Sequence, residues 1–303
     1  VKVLVTGASG AIGSALCDAL LARGDQVVGL TRDPSRTNGR APGVEWRRWE
    51  PTLERPSAEY FDGVDGVVNL IGEKINQRWT EEAKRRIMET RRTATQNLVQ
   101  AIAGLEGKPK VLVSQSAVGY YGDRGETELD EASPPGDSFD ADVCREWEQA
   151  ARGAEAAGLR LAIVRTGQVL YAGGGLLGEL ETPFKLGVGG PLAGGHQYLS
   201  WIHIDDEVAL LLWALDNPGV SGVVNASAPT PVTNRDFSKA LGRALHRPAL
   251  LPIPGFVLDL KVGSEFAAAI KGGQRVLPKR TEELGYEFRH SDLDEALSSI
   301  YAS

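Results

Sequence analysis

Along the first half of the chain, short β-branched and apolar runs alternate with longer stretches whose apolar positions recur every three or four residues. Several of the runs at residues 2–6, 26–31, 66–71, 110–116 and 159–165 are nearly continuously apolar, as strands covered on both faces require. A weaker strand is expected at 44–49. Between them, residues 12–23, 81–105 and 138–157 read as helices, the second with Ile87, Thr90 or Arg91, Ala94, Leu98 and Ile102 at helical spacing. Strand alternating with helix predicts an α/β fold, a doubly wound parallel sheet with helices on both faces.

After about residue 165 the texture changes. Glycines crowd 173–175 and 187–195, and residues 198–204 read as one more strand. From about residue 250, Pro252, Pro254 and Pro278 punctuate short helical segments that end in an amphipathic helix near 292–300. The expected organisation is a core over 1–165, with its sheet completed by segments within 166–248. Residues 166–303 form a substrate-side region that includes a small C-terminal helical lobe.

Composition narrows the classes of partner. The 303 residues carry a formal charge of −7 with no block of like charges, which argues against nucleic acid and against a polybasic membrane anchor. Cys17 and Cys144 are the only cysteines, too few for a disulfide framework or a cysteine zinc cluster, and they suit a reducing, cytoplasmic setting. No apolar run approaches the roughly 20 residues of a membrane span. The sequence opens directly on a strand, so no signal peptide is expected. The four histidines show no metal-ligand spacing, and no metal site is expected. A small-molecule substrate fits this profile; oligomeric state is left open.

The first strand runs into Thr6-Gly7-Ala8-Ser9-Gly10-Ala11-Ile12-Gly13 and then into a helix. Gly7 permits a tight turn, Gly10 lets backbone approach a pyrophosphate, and Gly13 allows close helix packing. Ser9, Ala11 and Ile12 complete the loop, and the helix N-terminus offers unpaired N–H groups to phosphates. Strand, glycine turn and helix in this order predict a Rossmann-like dinucleotide site. The second strand ends at Thr31-Arg32-Asp33, where a carboxylate would accept the ribose hydroxyls and a guanidinium would meet a 2′-phosphate. Arg32 with Thr31 favours NADP(H) over NAD(H). Asp33, before Pro34, reads as a turn residue.

Residues 6–13 resemble the loop of the extended short-chain dehydrogenase/reductases, the group that includes nucleotide-sugar epimerases. Asn69-Leu70-Ile71-Gly72-Glu73-Lys74-Ile75, Arg78-Trp79-Thr80, Ser116-Ala117-Val118-Gly119-Tyr120-Tyr121-Gly122, Pro183-Phe184-Lys185-Leu186-Gly187 and Ser200-Trp201-Ile202-His203-Ile204-Asp205-Asp206 are similar to an atypical epimerase-like subgroup. Val276-Leu277-Pro278-Lys279-Arg280 and Leu284-Gly285-Tyr286 resemble that subgroup's own terminal domain. The resemblance implies a Rossmann-like NADP-binding core, a smaller substrate lobe, and oxidoreductase or epimerase chemistry on an unsettled substrate. By matching position it puts Thr31 and Arg32 at the adenosine phosphate, Leu70 and Ile71 along the cofactor cleft, and Arg91 and Val118 near the cofactor. Read by themselves, Leu70 and Ile71 suit strand core equally well, and Arg91 suits a solvated helix face.

Ordinary members of that superfamily use a Tyr with a Lys four residues later on one helix face. None of the seven tyrosines here has that partner. The best register puts Asp140 and Cys144 at those positions, with Glu148 one turn on, so the usual proton relay is missing. Cys144 reads as a small buried residue before it reads as a nucleophile. Ser116 matches a family hydroxyl but also suits a strand-end hydrogen bond. Tyr120 and Tyr121 suit either a phenol near the nicotinamide or aromatic packing. His203 reads as structural before functional. The leading expectation is an NADP(H)-dependent oxidoreductase or epimerase-like enzyme with Ser116 and Tyr121 as weak catalytic candidates. The alternative is an NADP(H)-binding regulatory or redox-sensing protein without turnover.

Overall fold

The structure, a computed structural model, describes residues 1–37 and 41–302. The first half contains β1 (Lys2–Thr6), α1 (Ala11–Ala22), β2 (Gln26–Thr31), β3 (Glu45–Arg48), β4 (Gly66–Asn69), α2 (Glu81–Ala103), β5 (Val111–Ala117), β6 (Glu128–Leu129) and α3 (Phe139–Ala156). There follow β7 (Arg160–Thr166), β8 (Gln168–Leu170), α4 (Gly175–Lys185), β9 (Tyr198–Leu199), β10 (Trp201–His203), α5 (Ile204–Asp216) and β11 (Gly222–Ala226). The remainder holds β12 (Val232–Thr233), α6 (Asn234–Ala244), α7 (Gly255–Val262), α8 (Ser264–Lys271), β13 (Arg275–Val276), α9 (Lys279–Glu283) and α10 (Leu293–Tyr301).

Among the described residues, seven strands form one sheet in the order β11-β7-β5-β4-β1-β2-β3, every pairing parallel. The chain moves outward from β1 through β2 and β3, then crosses back to β4 on the other side of β1. That reversal opens a crevice at the carboxyl ends of β1 and β4, where ligands of such sheets sit. Successive residues of one strand face opposite layers: Val3 and Val5 pack with α1 and α5, whereas Leu4 packs with α2 and α3. Both layers are apolar because both are buried, which is why the strands read as unbroken runs.

Two elements depart from the expected pattern. The strand expected over 66–71 stops at Asn69; the Leu70 N–H still reaches the Thr6 carbonyl (3.3 Å) and hydroxyl (3.2 Å), and the chain then leaves the sheet. The strand expected over 198–204 is split at Ser200 into β9 and β10, and α5 begins at Ile204. Ser200 is buried, with its hydroxyl donating to the Gln274 carbonyl (2.7 Å) and accepting the Val276 N–H (2.9 Å). The prolines act as expected in one respect: Pro254 and Pro278 immediately precede α7 and α9. Among the described residues no helix is long and apolar enough to cross a membrane.

A buried carboxylate helps tie the C-terminal stretch to the core. Asp206, fully buried in the first turn of α5, accepts the Arg289 N–H at 2.8 Å, the His290 N–H at 2.9 Å and the Tyr286 hydroxyl at 3.3 Å. Removing the carboxylate leaves the part-buried N–H groups of Arg289 and His290 without their acceptor, while the Tyr286 hydroxyl keeps the Asp206 backbone carbonyl at 3.0 Å. Asp206→Ala is therefore expected to lower unfolding free energy by about 2–4 kcal/mol, read from urea denaturation followed by tryptophan fluorescence.

Candidate functional site

The glycine turn is built by steric exclusion. Gly7 adopts φ +66°, and a Cβ there would lie 2.7 Å from the Leu70 carbonyl oxygen, so the turn after β1 presses against the chain leaving β4. The Gly7 carbonyl accepts the Gly10 N–H at 2.9 Å, while a Cβ on Gly13 would come within 2.2 Å of that same oxygen. The third glycine thus lets α1 pack on the turn itself. Gly10 is the N-cap of α1 and supplies no side-chain cap; the first turn carries no acidic residue. Gly10 and Ala11 are exposed, and Ser9 and Ile12 are half-buried. The positive end of a twelve-residue helix therefore opens beside the crevice.

Behind the turn lies a buried polar cluster. The Thr6 hydroxyl donates to Asn69 Oδ1 (2.7 Å), and Asn69 Nδ2 donates to the hydroxyls of Thr95 (3.0 Å) and Ser114 (3.2 Å). These bonds join the ends of β1 and β4 and the middle of β5 to α2, and Leu70 and Ile71, which follow β4, are half-buried. At the end of β2, Arg32 is exposed, and among the described residues its guanidinium meets no carboxylate. Asp33 is turned aside: its carboxylate accepts the Ser35 N–H (3.0 Å) and hydroxyl (2.6 Å), the turn role expected of it.

Arg91 is not on a solvated face. Its guanidinium lies against Gly72, where a Cβ would come within 2.8 Å, and 5.0 Å from the Trp147 ring centroid. Its Nη1 donates to the Ile87 carbonyl (3.2 Å), and burial lowers its proton affinity. Val118 is buried with Tyr121, Leu129 and Val276 in a small apolar cluster. The structure thus brings the residues at 7–13, 31–32 and 70–71, together with Arg91, to the carboxyl edge of the sheet. The side chain of Val118 is directed into packing.

Ser116 and Tyr121 are fully engaged in the interior. The Ser116 hydroxyl donates to Glu148 Oε1 (2.8 Å), and Arg165 holds the same carboxylate through Nε (2.8 Å) and Nη2 (3.0 Å). Arg165 Nη1 also donates to the Tyr121 hydroxyl (3.1 Å), which donates to Asn225 Oδ1 (2.7 Å). Burial pushes the Tyr121 phenol up to about 12. Ser116 is 1% exposed and Tyr121 0%, so both hydroxyls serve a bidentate ion pair joining α3 to β5, β7 and β11. Tyr120 packs its ring over the Arg165 guanidinium, 3.3 Å from Cζ to the centroid.

On α3, Asp140 and Cys144 stand one turn apart. The Cys144 thiol is buried, 3.6 Å from the Ala117 carbonyl oxygen, and burial pushes it up to about 12, far from a nucleophilic thiolate. His203 is buried, and its Nδ1 accepts the Asp205 N–H (3.1 Å) as the cap of α5. Its ring stacks on His290 at 3.9 Å, and with Asp205 these form a three-residue cluster assembled from distant parts of the chain. Sequence spacing did not disclose it, because His290 arrives through the Asp206 tether. The nitrogen facing Asp205 is already occupied as the helix cap.

Sequence reading also passed over Glu207. It lies on the apolar stripe of α5, three residues after Ile204 and four before Leu211, and that placement is the signal that marks it as buried. Its Oε1 accepts from the Thr166 hydroxyl (2.9 Å) and Gln115 Nε2 (3.5 Å) near the ends of β7 and β5, whereas Oε2 is buried with no hydrogen-bond partner among the described residues.

A parallel sheet with its chain reversal at β1 and β4, and a glycine turn opening an uncapped helix in that crevice, define a Rossmann-like nucleotide-binding fold. Residues 3–226 match the model of the NAD dependent epimerase/dehydratase family, and residues 253–300 match a domain of unknown function, DUF1731. The chain belongs to the NAD dependent epimerase/dehydratase family. It is 40% identical over 300 residues to the chloroplastic epimerase family protein SDR39U1 homolog of Arabidopsis thaliana, covering 98% of this chain and 86% of that one. The human epimerase family protein SDR39U1 is 38% identical over 306 residues, 99% of this chain and 100% of the relative. A crystal structure of that human protein (isoform 2) with NADPH superposes with a TM-score of 0.89 at 38% identity, covering 100% of this chain and 99% of the other.

Burial pushes the Glu207 carboxyl up to about 8 from an unfolded value of 4.5. Between those values the folded chain holds one proton more than the unfolded chain, so this group's contribution to stability falls as pH rises through the window. Urea midpoints measured at intervals from about pH 5 to about pH 8 should decline less steeply in Glu207→Gln than in the wild type. Identical slopes would show that Glu207 is already ionised in the folded chain.

Proposed function

We propose that this chain binds NADPH across the carboxyl edge of the sheet and uses it as an oxidoreductase or epimerase-like enzyme on a small molecule bearing a carbonyl or hydroxyl. The observation that carries the reading is the turn at 7–13, where a Cβ at Gly7 or Gly13 would meet backbone and the N-terminus of α1 is left uncapped. A pyrophosphate fits that site by charge and by room for backbone approach. In this reading the backbone of Ser9, Gly10, Ala11 and Ile12 lies against the pyrophosphate, the Gly10 N–H being spent on the Gly7 carbonyl and those of Ala11 and Ile12 aimed at the phosphates, with Gly7 and Gly13 shaping the turn. Thr31 and Arg32 hold the 2′-phosphate, Leu70, Ile71 and the backbone at Val118 line the cleft, and Arg91 reaches the cofactor from α2. The bound cofactor supplies a hydride; the chain's residues orient it and exclude water. The human relative solved with NADPH supports this assignment.

The reading divides the chain near residue 165, with the later region covering the substrate. Two buried cysteines without a disulfide fit a reducing, cytoplasmic setting. A second reading, a regulatory protein that senses NADP(H) without turnover, is favoured by one observation: Ser116 and Tyr121 are both committed to the Glu148–Arg165 pair. Nicotinamide absorbance with NADPH and a broad carbonyl panel separates the two, since the enzyme oxidises NADPH and the sensor binds it unchanged.

Arg32→Ala is expected to weaken NADPH roughly tenfold to a hundredfold, the value of a charge-assisted contact to phosphate, while leaving NADH affinity nearly unchanged. Dissociation constants from nicotinamide fluorescence check this. Equal loss for both cofactors would remove Arg32 from the 2′-phosphate.

A further inference from the structure

Asp140 stands in the first turn of α3, 9% exposed, and no basic side chain pairs with it among the described residues. Among the described residues its Oδ1 is buried with no hydrogen-bond partner, while the Ser138 hydroxyl and the backbone N–H groups of Asp140 and Ala141 act on the carboxyl in the direction of its charged form. Its Oδ2 lies against Gly119, 3.0 Å from where a Cβ would sit, just beyond the carboxyl end of β5. One turn along α3 is Cys144, whose thiol feels both the Asp140 carboxyl and the Arg91 guanidinium. Arg91 itself reaches Gly72, just beyond the end of β4, and forms no ion pair among the described residues. A carboxyl and a guanidinium, neither satisfied by the other, thus flank a small side chain at the sheet edge that carries the glycine turn. A buried carboxyl oxygen without a donor is costly unless it is protonated or meets a ligand.

We propose that Asp140 is the proton-transfer residue of this site, its carboxyl giving a proton to the oxygen of a carbonyl substrate, with Arg91 as the cation positioned across Cys144. The proposal rests on the reading that NADPH binds at residues 7–13. In the reducing direction the carbonyl carbon gains a hydride from the reduced dinucleotide and the C=O π pair moves to oxygen. The Asp140 O–H bond breaks to give that oxygen its proton, leaving an alcohol, oxidised dinucleotide and a carboxylate that regains its proton from water. Burial raises the Asp140 carboxyl above its ordinary range, so it holds a proton to higher pH than a surface aspartate. The charged group that acts on it directly is Asp142 on α3, and Cys144, one turn along, feels Asp140 together with Glu148 and Arg91. Asp142 is drawn off by Arg145.

The test begins with NADPH affinity of the wild-type chain by fluorescence, which judges the cofactor reading alone. Aspartate carboxyls labelled with 13C are then titrated by NMR with and without saturating NADPH, in the wild type and in Asp140→Asn and Asp142→Asn. One signal should titrate above the usual value near 3.9, vanish in Asp140→Asn, persist in Asp142→Asn, and shift by about half a unit or more when NADPH binds. Asp140→Asn should keep NADPH affinity within about threefold and lose about a hundredfold or more of any turnover in the carbonyl panel. A signal in the ordinary range, one indifferent to bound NADPH, or turnover retained in Asp140→Asn overturns the proposal. Should Asp140→Asn fail to fold, Asp140→Glu makes the same assignment by removing the aspartate signal. A wild-type chain that does not bind NADPH defeats the cofactor reading instead.

Discussion

One oxygen atom, the Gly7 carbonyl, sets the geometry at the carboxyl edge of the sheet. It accepts the Gly10 N–H, and it lies where any side chain at position 13 would have to pass. Gly7 in turn has no room for a Cβ because the Leu70 carbonyl closes in from the end of β4. The tight turn, the start of α1 and the exit of the chain from β4 are therefore mutually determined by backbone contacts. A larger residue at either glycine disturbs all three. The Thr6–Asn69 hydrogen bond fixes the same junction from below, so the uncapped helix end is held in a defined position on the crevice.

A second constraint explains why the residues most suggestive of catalysis are occupied elsewhere. The Glu148–Arg165 pair is buried on both sides and takes its remaining hydrogen bonds from Ser116 and Tyr121. An ion pair in the interior is tolerated only when its lone pairs and protons are satisfied, and these two hydroxyls satisfy it. What stays less satisfied at this edge is different: the Asp140 Oδ1, an Arg91 that among the described residues feels Glu73 but makes no ion pair, and an exposed Arg32. The groups open to a ligand are thus a carboxyl and two cations. A phenol and an ammonium on one helix face are absent.

Much of this was legible in the sequence for physical reasons. Strands buried on both faces leave continuous apolar runs, and a glycine turn between strand and helix is a local signal, so β1, β2, β5, β7 and residues 7–13 could be read directly. The Asp33 turn could be read from Asp-Pro alone. The break at Ser200 was hidden, because it depends on hydrogen bonds to Gln274 and Val276 far along the chain. The environment of Arg91 was hidden likewise: a helix rich in Arg and Glu reads as solvated, and only Gly72 and Trp147, brought in by tertiary packing, show otherwise. The engagement of Ser116 and Tyr121 required the meeting of α3 with β7, which no short-range pattern encodes.

In the proposed function, the edge at residues 7–13 and 31–32 receives a 2′-phosphorylated dinucleotide. A crystal structure of the chain grown with NADPH tests it most directly. The pyrophosphate is expected at the backbone N–H groups that open α1 and the 2′-phosphate within hydrogen-bonding reach of Thr31 and Arg32. NADPH bound elsewhere, or a 2′-phosphate turned away from Arg32, would contradict it.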